Sequence, residues 1–294
     1  MKKVLVLGGA GMLGHKVLQV LGPRFDIRAT FRGDVDRYVS YGLISHERAV
    51  TGVDAMQFET VERAIRDVRP DYVINCIGVV KQLAEGHDPI ISITVNSLFP
   101  HRVAAVCRET GARVIHVSTD CVFSGRKGMY LESDPPDAED LYGRSKLLGE
   151  VAGENALTLR TSIIGREVRS TTGLVEWFLS NRGGTVNGFT EAIYSGLTTQ
   201  ALASLIGDLI EREEPLHGLY QVSSEPINKY DLLVLLNDAF GADVMIRRST
   251  ELRIDRSLDS ARFREVAGWQ PATWPEMVAA LAHDPTPYEL WRHS

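Results

Sequence analysis

The chain has 294 residues, enough for one large domain or two smaller ones, and its 44% apolar and 24% charged shares are those of an ordinary globular protein. A formal net charge of −6 argues against nucleic acid or a membrane surface as the main partner. The three cysteines, Cys76, Cys107 and Cys121, make no C-x-x-C pair and are odd in number, which reads as reduced thiols in a cytoplasmic protein.

Met1-Lys2-Lys3 ahead of Val4–Leu7 has the outline of a signal peptide. The apolar run breaks at once into Gly8-Gly9-Ala10-Gly11, so a buried strand over Lys3–Leu7 followed by a phosphate turn is the better reading. The pattern then predicts a helix over Met12–Leu21 stopped by Gly22-Pro23, a strand over Asp26–Phe31, a helix over Val61–Val68 ending before Pro70, and a strand over Asp71–Cys76. A long helical pattern runs from Pro89 to Glu109 and closes at Gly111. Strands at Ala112–Val117 and Ala156–Thr161 flank a helix at Leu141–Ala152. Helices follow at Leu174–Asn181, Thr199–Arg212, Lys229–Phe240 and Thr273–Ala282, with a strand at Gly218–Val222 returning to the sheet. No stretch approaches the roughly 20 apolar residues of a membrane span.

Such alternation implies an α/β fold: a Rossmann-type doubly wound parallel sheet with a smaller, discontinuous C-terminal substrate domain. Residues 1–165 are expected to form the NAD(P)-binding domain, with return segments at about 195–225, and residues 166–194 and 226–294 the substrate domain. In this fold ligands sit beyond the carboxyl ends of the strands. The motifs with chemical content fall at such ends.

Gly8, Gly11 and Gly14 follow the first strand directly and open a helix. Glycine there allows a tight turn and close backbone approach to a pyrophosphate seated on the helix N-terminus. No G-K-[ST] follows, which excludes a nucleoside-triphosphate loop. The second strand ends Thr30-Phe31-Arg32 with no acid at its tip. Arg32 suits a 2′-phosphate, so NADPH is favoured, while Asp34 and Asp36 just beyond leave NAD open. Tyr142 and Lys146 stand four apart and share one helix side, a spacing that suits an acid/base pair in which the ammonium lowers the phenol's pKa. Ser118-Thr119-Asp120 ends a strand shortly before them.

Gly8–Gly14 (GGAGMLG), Val117–Gly125 (VSTDCVFSG), Tyr142–Lys146 (YGRSK), Leu159–Ser162 (LRTS) and Arg256–Asp259 (RSLD) together resemble the extended short-chain dehydrogenase/reductases, most closely their dTDP-4-dehydrorhamnose reductase group. The resemblance spans most of the chain and is strongest through Ser162. It implies that Gly8, Gly11, Met12, Leu13 and Gly14 cradle the cofactor, that Asp54 lies near adenine, that Cys76-Ile77-Gly78 lies beside the cofactor ribose and that Asn96 lies near the site. It further implies that Thr119 hydrogen-bonds the substrate carbonyl, that Tyr142 delivers the proton, and that Lys146 holds the nicotinamide ribose and tunes Tyr142. Asp120 and Cys121 are additional catalytic candidates. The implied substrate is a nucleotide-linked 4-keto-6-deoxy sugar, with Lys81, Arg247, Arg248 and Arg256 as candidate cations for its pyrophosphate and Tyr194, in a loop, as a candidate lining residue. Relatives dimerise through helices matching 89–109 and 141–152, which leaves a homodimer open.

Cys121 departs from the pattern, standing where the reductases have tyrosine. Thr119-x-Cys121 instead resembles S-x-C of GDP-fucose synthase, whose cysteine is an acid/base beside the ketone. That makes an epimerase or epimerase-reductase the alternative, although no histidine lies between His116 and His217 to act as the second acid/base. A third reading is a cofactor-binding regulatory subunit, since the β subunit of methionine adenosyltransferase resembles the same group. The eight histidines show no metal-ligand spacing, so no metal is expected. His116 reads as a core or supporting residue, and Trp177 with Phe178 as packing.

Overall fold

The computed structural model describes residues 1–80, 84–169 and 171–293. Its centre is a seven-stranded, all-parallel sheet. The strands are β1 (Lys3–Leu7), β2 (Asp26–Thr30), β3 (Ala49–Val50), β4 (Tyr72–Asn75), β5 (Arg113–Thr119), β6 (Ala156–Thr161) and, after four short strands elsewhere, β11 (Gly218–Gln221). Their spatial order is β11-β6-β5-β4-β1-β2-β3. The chain leaves β1 toward β2 and β3, then crosses back to β4. The crevice beyond β1 and β4 is therefore the switch point at which such sheets take ligands.

The period of two along each strand explains the two layers. Val4 and Val6 of β1 join one buried cluster with Val17 and Leu21 of the helix Met12–Leu21, whereas Leu5 and Leu7 join a second with Val61, Ile65, Val103 and Val106. Helix Thr199–Glu211 packs beside Met12–Leu21, and helices Phe58–Val68 and Phe99–Thr110 cover the opposite face. The first cluster continues through Val175, Phe178, Leu232, Leu236, Trp274 and Met277, so the C-terminal region shares its core with the sheet. Phe178 is buried as expected, but its neighbour Trp177 is 40% exposed.

The patterned elements match the expected ones within a few residues. The long helix is an exception. Pro89–Ser92, capped by Asp88, gives way to a π-helical turn over Ile93–Leu98 before Phe99–Thr110 continues. Pro89–Thr110 taken as one unit of 22 residues does have the length and composition of a membrane span, contrary to the sequence expectation, with half of its apolar window buried in the fold. The helix after Asp140 stops at Leu148, and Gly149 follows it against the Asn96 carbonyl, where a methyl group would clash.

Several short strands of the C-terminal region carry no clear sequence pattern. Strands β8 (Thr185–Phe189) and β13 (Met245–Ser249) pair in parallel, and β9 (Ala192–Tyr194) lies between β12 (Ile227–Asn228) and β14 (Ile254–Asp255). A further parallel pair, β7 (Ile163–Ile164) and β10 (Leu197–Thr198), extends from β6 toward helix Thr199–Glu211. Such short strands gain stability from partners far along the chain, which a local pattern does not show.

Candidate active site

A cleft of about 690 Å³ opens at the carboxyl ends of β1, β4, β5 and β6, closed on the far side by residues of the C-terminal region. The glycine turn forms one end. Gly8 adopts φ +84°, its N–H donates to the Thr30 hydroxyl (3.1 Å), and the Gly9 N–H donates to the Thr30 carbonyl (3.0 Å). A methyl group on Gly14 would run into the Gly8 carbonyl, so helix and turn pack closer than any other residue allows. Gly11 starts the helix with no side-chain cap and no acid in its first turn. The uncapped N–H groups and the helix dipole fit a phosphate, and Gly11, Met12 and Leu13 line the cleft.

Beside the turn, Cys76, Ile77 and Gly78 also line the cleft. Their loop is held from below. The Asn75 side-chain Oδ1 accepts the Ile77 N–H (3.1 Å), and its Nδ2 donates to His116 Nδ1 (3.1 Å). His116 is fully buried, and burial followed by the Lys146 charge holds its pKa well below the ordinary value, so it is neutral. Burial likewise pushes the Cys76 thiol up to about 12, so it carries no nucleophilic thiolate.

Asn96 sits 1% exposed on the π turn, outside the cleft. Its amide accepts from Val79 N–H (2.9 Å) and donates to the Val79 carbonyl (2.9 Å) and to Ser145 Oγ (3.2 Å). All its polar groups are engaged in tying the 76–80 loop to the Tyr142 helix, so its part is to support the site. Arg32 is exposed at the edge beyond β2, and the Asp54 carboxylate accepts the Met56 N–H (2.9 Å); neither lines the cleft.

The floor of the cleft is built by β5 and the helix Leu141–Leu148. Asp140 caps that helix by accepting the Gly143 N–H (2.7 Å). Gly143 rests on the Cys121 carbonyl, where a methyl would clash, so only glycine lets the Tyr142 turn press onto the end of β5. The Thr119 hydroxyl acts on the Tyr142 phenol beside it, accepts the Cys121 N–H (3.1 Å) and donates to Asp120 Oδ1 (3.2 Å). Lys146 Nζ donates to the Val117 carbonyl (2.8 Å).

The electrostatics correct one expectation. Burial, then the Cys121 charge, raises the Tyr142 pKa, outweighing a lowering by the Thr119 hydroxyl, so the net shift runs opposite to the expected lowering. The phenol is a proton donor at neutral pH. Lys146 itself is lowered to about 8, burial outweighing the Glu150 carboxylate. Glu150 takes a bidentate pair from Arg160 (2.9 and 2.6 Å) and the Ser118 hydroxyl (2.7 Å), which explains an arginine inside β6: its charge is neutralised one layer below the floor.

The opposite wall comes from remote segments. Arg256 donates from Nε to the Phe123 carbonyl (2.8 Å), and its Nη1 lies 3.7 Å from Cys121 Sγ, so a guanidinium stands within the cleft beside the floor. Tyr194 lines the cleft from a short strand, β9, where a loop was expected, and its phenol is held well above the ordinary pKa by burial. Arg247 and Arg248 lie on β13 away from the cleft, Arg248 stacked on Tyr230. Lys81 lies outside the described residues. Glu167, Thr172 and Lys229 line the cleft without having been anticipated; Lys229 starts a helix capped by Asn228, and only that cap is legible locally.

The family described as RmlD substrate binding domain matches residues 1–281. The chain is 31% identical over 249 residues to the probable low-salt glycan biosynthesis reductase Agl14 of Haloferax volcanii, covering 78% of this chain and 82% of that protein. It is 24% identical to methionine adenosyltransferase 2 subunit beta of Xenopus tropicalis, over 81% of this chain and 72% of that one. The crystal structure of dTDP-4-dehydrorhamnose reductase from Bacillus anthracis in complex with NADP superposes with a TM-score of 0.78 at 20% identity, covering 96% of this chain and 98% of that chain. With the family match over residues 1–281 and the floor of Thr119, Tyr142 and Lys146 in one cleft, the chain belongs to the RmlD substrate-binding-domain family, the dTDP-4-dehydrorhamnose reductase-like group of extended short-chain dehydrogenase/reductases, and is an oxidoreductase of that class.

Proposed function

We propose that the protein reduces the ketone of a nucleotide-linked 4-keto-6-deoxy sugar with NADPH, in the synthesis of a polysaccharide or deoxysugar. The observation that carries the reading is the Thr119–Tyr142 hydroxyl pair at the floor of a cleft whose other end is the uncapped glycine turn. NADPH, when bound, supplies the hydride. Thr119 donates to the ketone oxygen and aligns it. Tyr142 then gives that oxygen its phenolic proton as negative charge develops. The raised pKa keeps the proton on the phenol until then, and an alkoxide is a far stronger base than a phenolate, so the transfer runs downhill. Lys146, one turn along the same helix, is the cation that steadies the resulting phenolate. Arg256 supports an anionic substrate because its guanidinium reaches the sugar end of the cleft.

NADPH is favoured over NADH because Arg32 is exposed beyond β2 with no protein partner among the described residues, while Asp34 is turned to its own loop, accepting the Asp36 N–H (3.0 Å). The names of the Haloferax reductase and of the Bacillus NADP complex agree with this chemistry. The test is NADPH oxidation over a panel of nucleotide-linked 4-keto-6-deoxy sugars, with product stereochemistry by NMR. No turnover on any of them, despite cofactor binding, would remove the reading and favour a regulatory subunit like that of methionine adenosyltransferase.

A second reading is favoured by Cys121, which lines the cleft and acts on the Tyr142 phenol. If the thiol exchanges a proton beside the ketone, turnover in D₂O places deuterium on that carbon; a product without it leaves simple reduction.

A further inference from the structure

The residues past the family match, from Asp284 onward, form a strap over the cofactor end of the sheet. Asp284 forms a buried ion pair with Lys16 and accepts from Thr286 Oγ1 (2.7 Å) and Gln200 Nε2 (3.2 Å). The Tyr288 hydroxyl lies 2.9 Å from Asp284 Oδ2 and 3.0 Å from His15 Nε2. His15 Nδ1 in turn lies 2.9 Å from the Gly11 carbonyl, to which it donates. His15 and Tyr288 are both 0% exposed. With the His15 Nδ1–H given to Gly11, Nε2 accepts, so the single Tyr288 proton serves His15 or Asp284 at one time; when it goes to His15, a line of hydrogen bonds runs from the strap's Tyr288 to the residue that starts the helix under the glycine turn.

The strap reaches two other borders of the same site. Trp291 stacks on Tyr41, at the end of the helix Asp36–Ser40 that follows the Arg32 turn, with centroids 4.4 Å apart and planes 4° apart. Arg292 donates to the Glu167 carbonyl (2.8 and 3.2 Å), and Glu167 lines the cleft. Arg166 crosses beneath, pairing with Glu176 (2.6 Å) and lying 4.7 Å from the Tyr288 ring centroid. Burial holds the His15 imidazole at about 4, so at neutral pH it is uncharged.

A glycine turn has little intrinsic stiffness, and Gly11 has no side-chain cap. Donors that are already aimed cost less to order when an anion binds. We infer that the segment 284–292 is part of the dinucleotide site, with His15 and Tyr288 as positioning residues that fix the Gly11 peptide and so aim the uncapped N–H groups. This rests on the dinucleotide reading of the turn. It makes cofactor affinity depend on side chains more than 270 residues apart in sequence.

The test titrates NADPH into the full chain and follows nicotinamide fluorescence, with thermal midpoints measured in parallel. Tyr288→Phe keeps the ring and removes only the hydroxyl; His15→Gln breaks the line at its other end. Each is expected to weaken NADPH binding by about tenfold, with the loss appearing in the cofactor KM rather than in kcat. Val278→Ala, a buried change in the helix Trp274–Ala282 that removes no polar group, controls for destabilisation. It should lower the midpoint and leave NADPH affinity in place. Binding within about twofold of the parent in both Tyr288→Phe and His15→Gln overturns the inference, as does an equal loss in Val278→Ala. A parent chain that binds neither NADPH nor NADH overturns the dinucleotide reading and the inference with it.

Discussion

The floor and the far wall of the cleft are made in different ways. The floor comes from short, continuous stretches: a glycine turn between β1 and its helix, the end of β5, and one turn of the helix capped by Asp140. Its special residues follow from backbone demands. Gly8 adopts positive φ, and Gly14 and Gly143 sit where a methyl group would strike a carbonyl oxygen. The wall is assembled from β9, the start of helix Lys229–Phe240 and the segment around Arg256, which meet only in the folded chain. A reaction type can therefore be held by local motifs while the shape offered to the substrate is set by long-range packing.

Four substitutions or profiles separate the two. Tyr142→Phe removes the floor's proton donor and should lower kcat by about 10³-fold with NADPH affinity retained. Stopped-flow turnover together with a cofactor titration checks it, and full turnover in the variant breaks the assignment. Arg256→Met acts on the wall. It should raise the KM for the nucleotide sugar by roughly 10–100-fold and leave cofactor binding in place, as expected for loss of charge-assisted hydrogen bonds. An equal loss in cofactor affinity would mean that floor and wall are not separable.

The Lys146 ammonium has its pKa lowered to about 8, so it is charged below that pH and neutral above it. kcat/KM, which reports the free enzyme, is expected to fall by about tenfold per pH unit above that value. The Tyr142 phenol titrates higher and cannot produce this limb. A profile flat to about pH 9.5 would remove Lys146 from the mechanism. The smallest effect belongs to Cys121→Ala. For simple reduction, kcat should change by no more than about threefold, because the thiol only shapes the wall. A loss of about 10²-fold would instead assign it proton chemistry, as in the second reading.

Glu150 shows what lies between the legible and the illegible. The arginine of L-R-T-S stands in the sequence, but its bidentate partner Glu150 is ten residues earlier, and only the fold, which brings the segment after the Tyr142 helix against β6, makes the pair. Asn96 is similar. Its position was legible, yet the π turn directs its amide to the Val79 backbone and to Ser145, so it braces the site from outside the cleft. The expectation that Lys146 lowers the Tyr142 pKa followed from spacing alone. The net shift of the phenol is upward instead, because burial is the largest influence on both groups.

By itself the sequence determined the parallel α/β sheet, the glycine turn and the Thr119–Tyr142–Lys146 floor, because each is specified by hydrophobic period, φ requirement or helical spacing within a few residues. The tertiary structure alone decided which cations reach the cleft, which way Asn96 faces, the protonation of Tyr142 and Lys146, and the seating of the C-terminal strap on His15. Those depend on burial and on contacts between distant segments, and neither is encoded in the local pattern of residues.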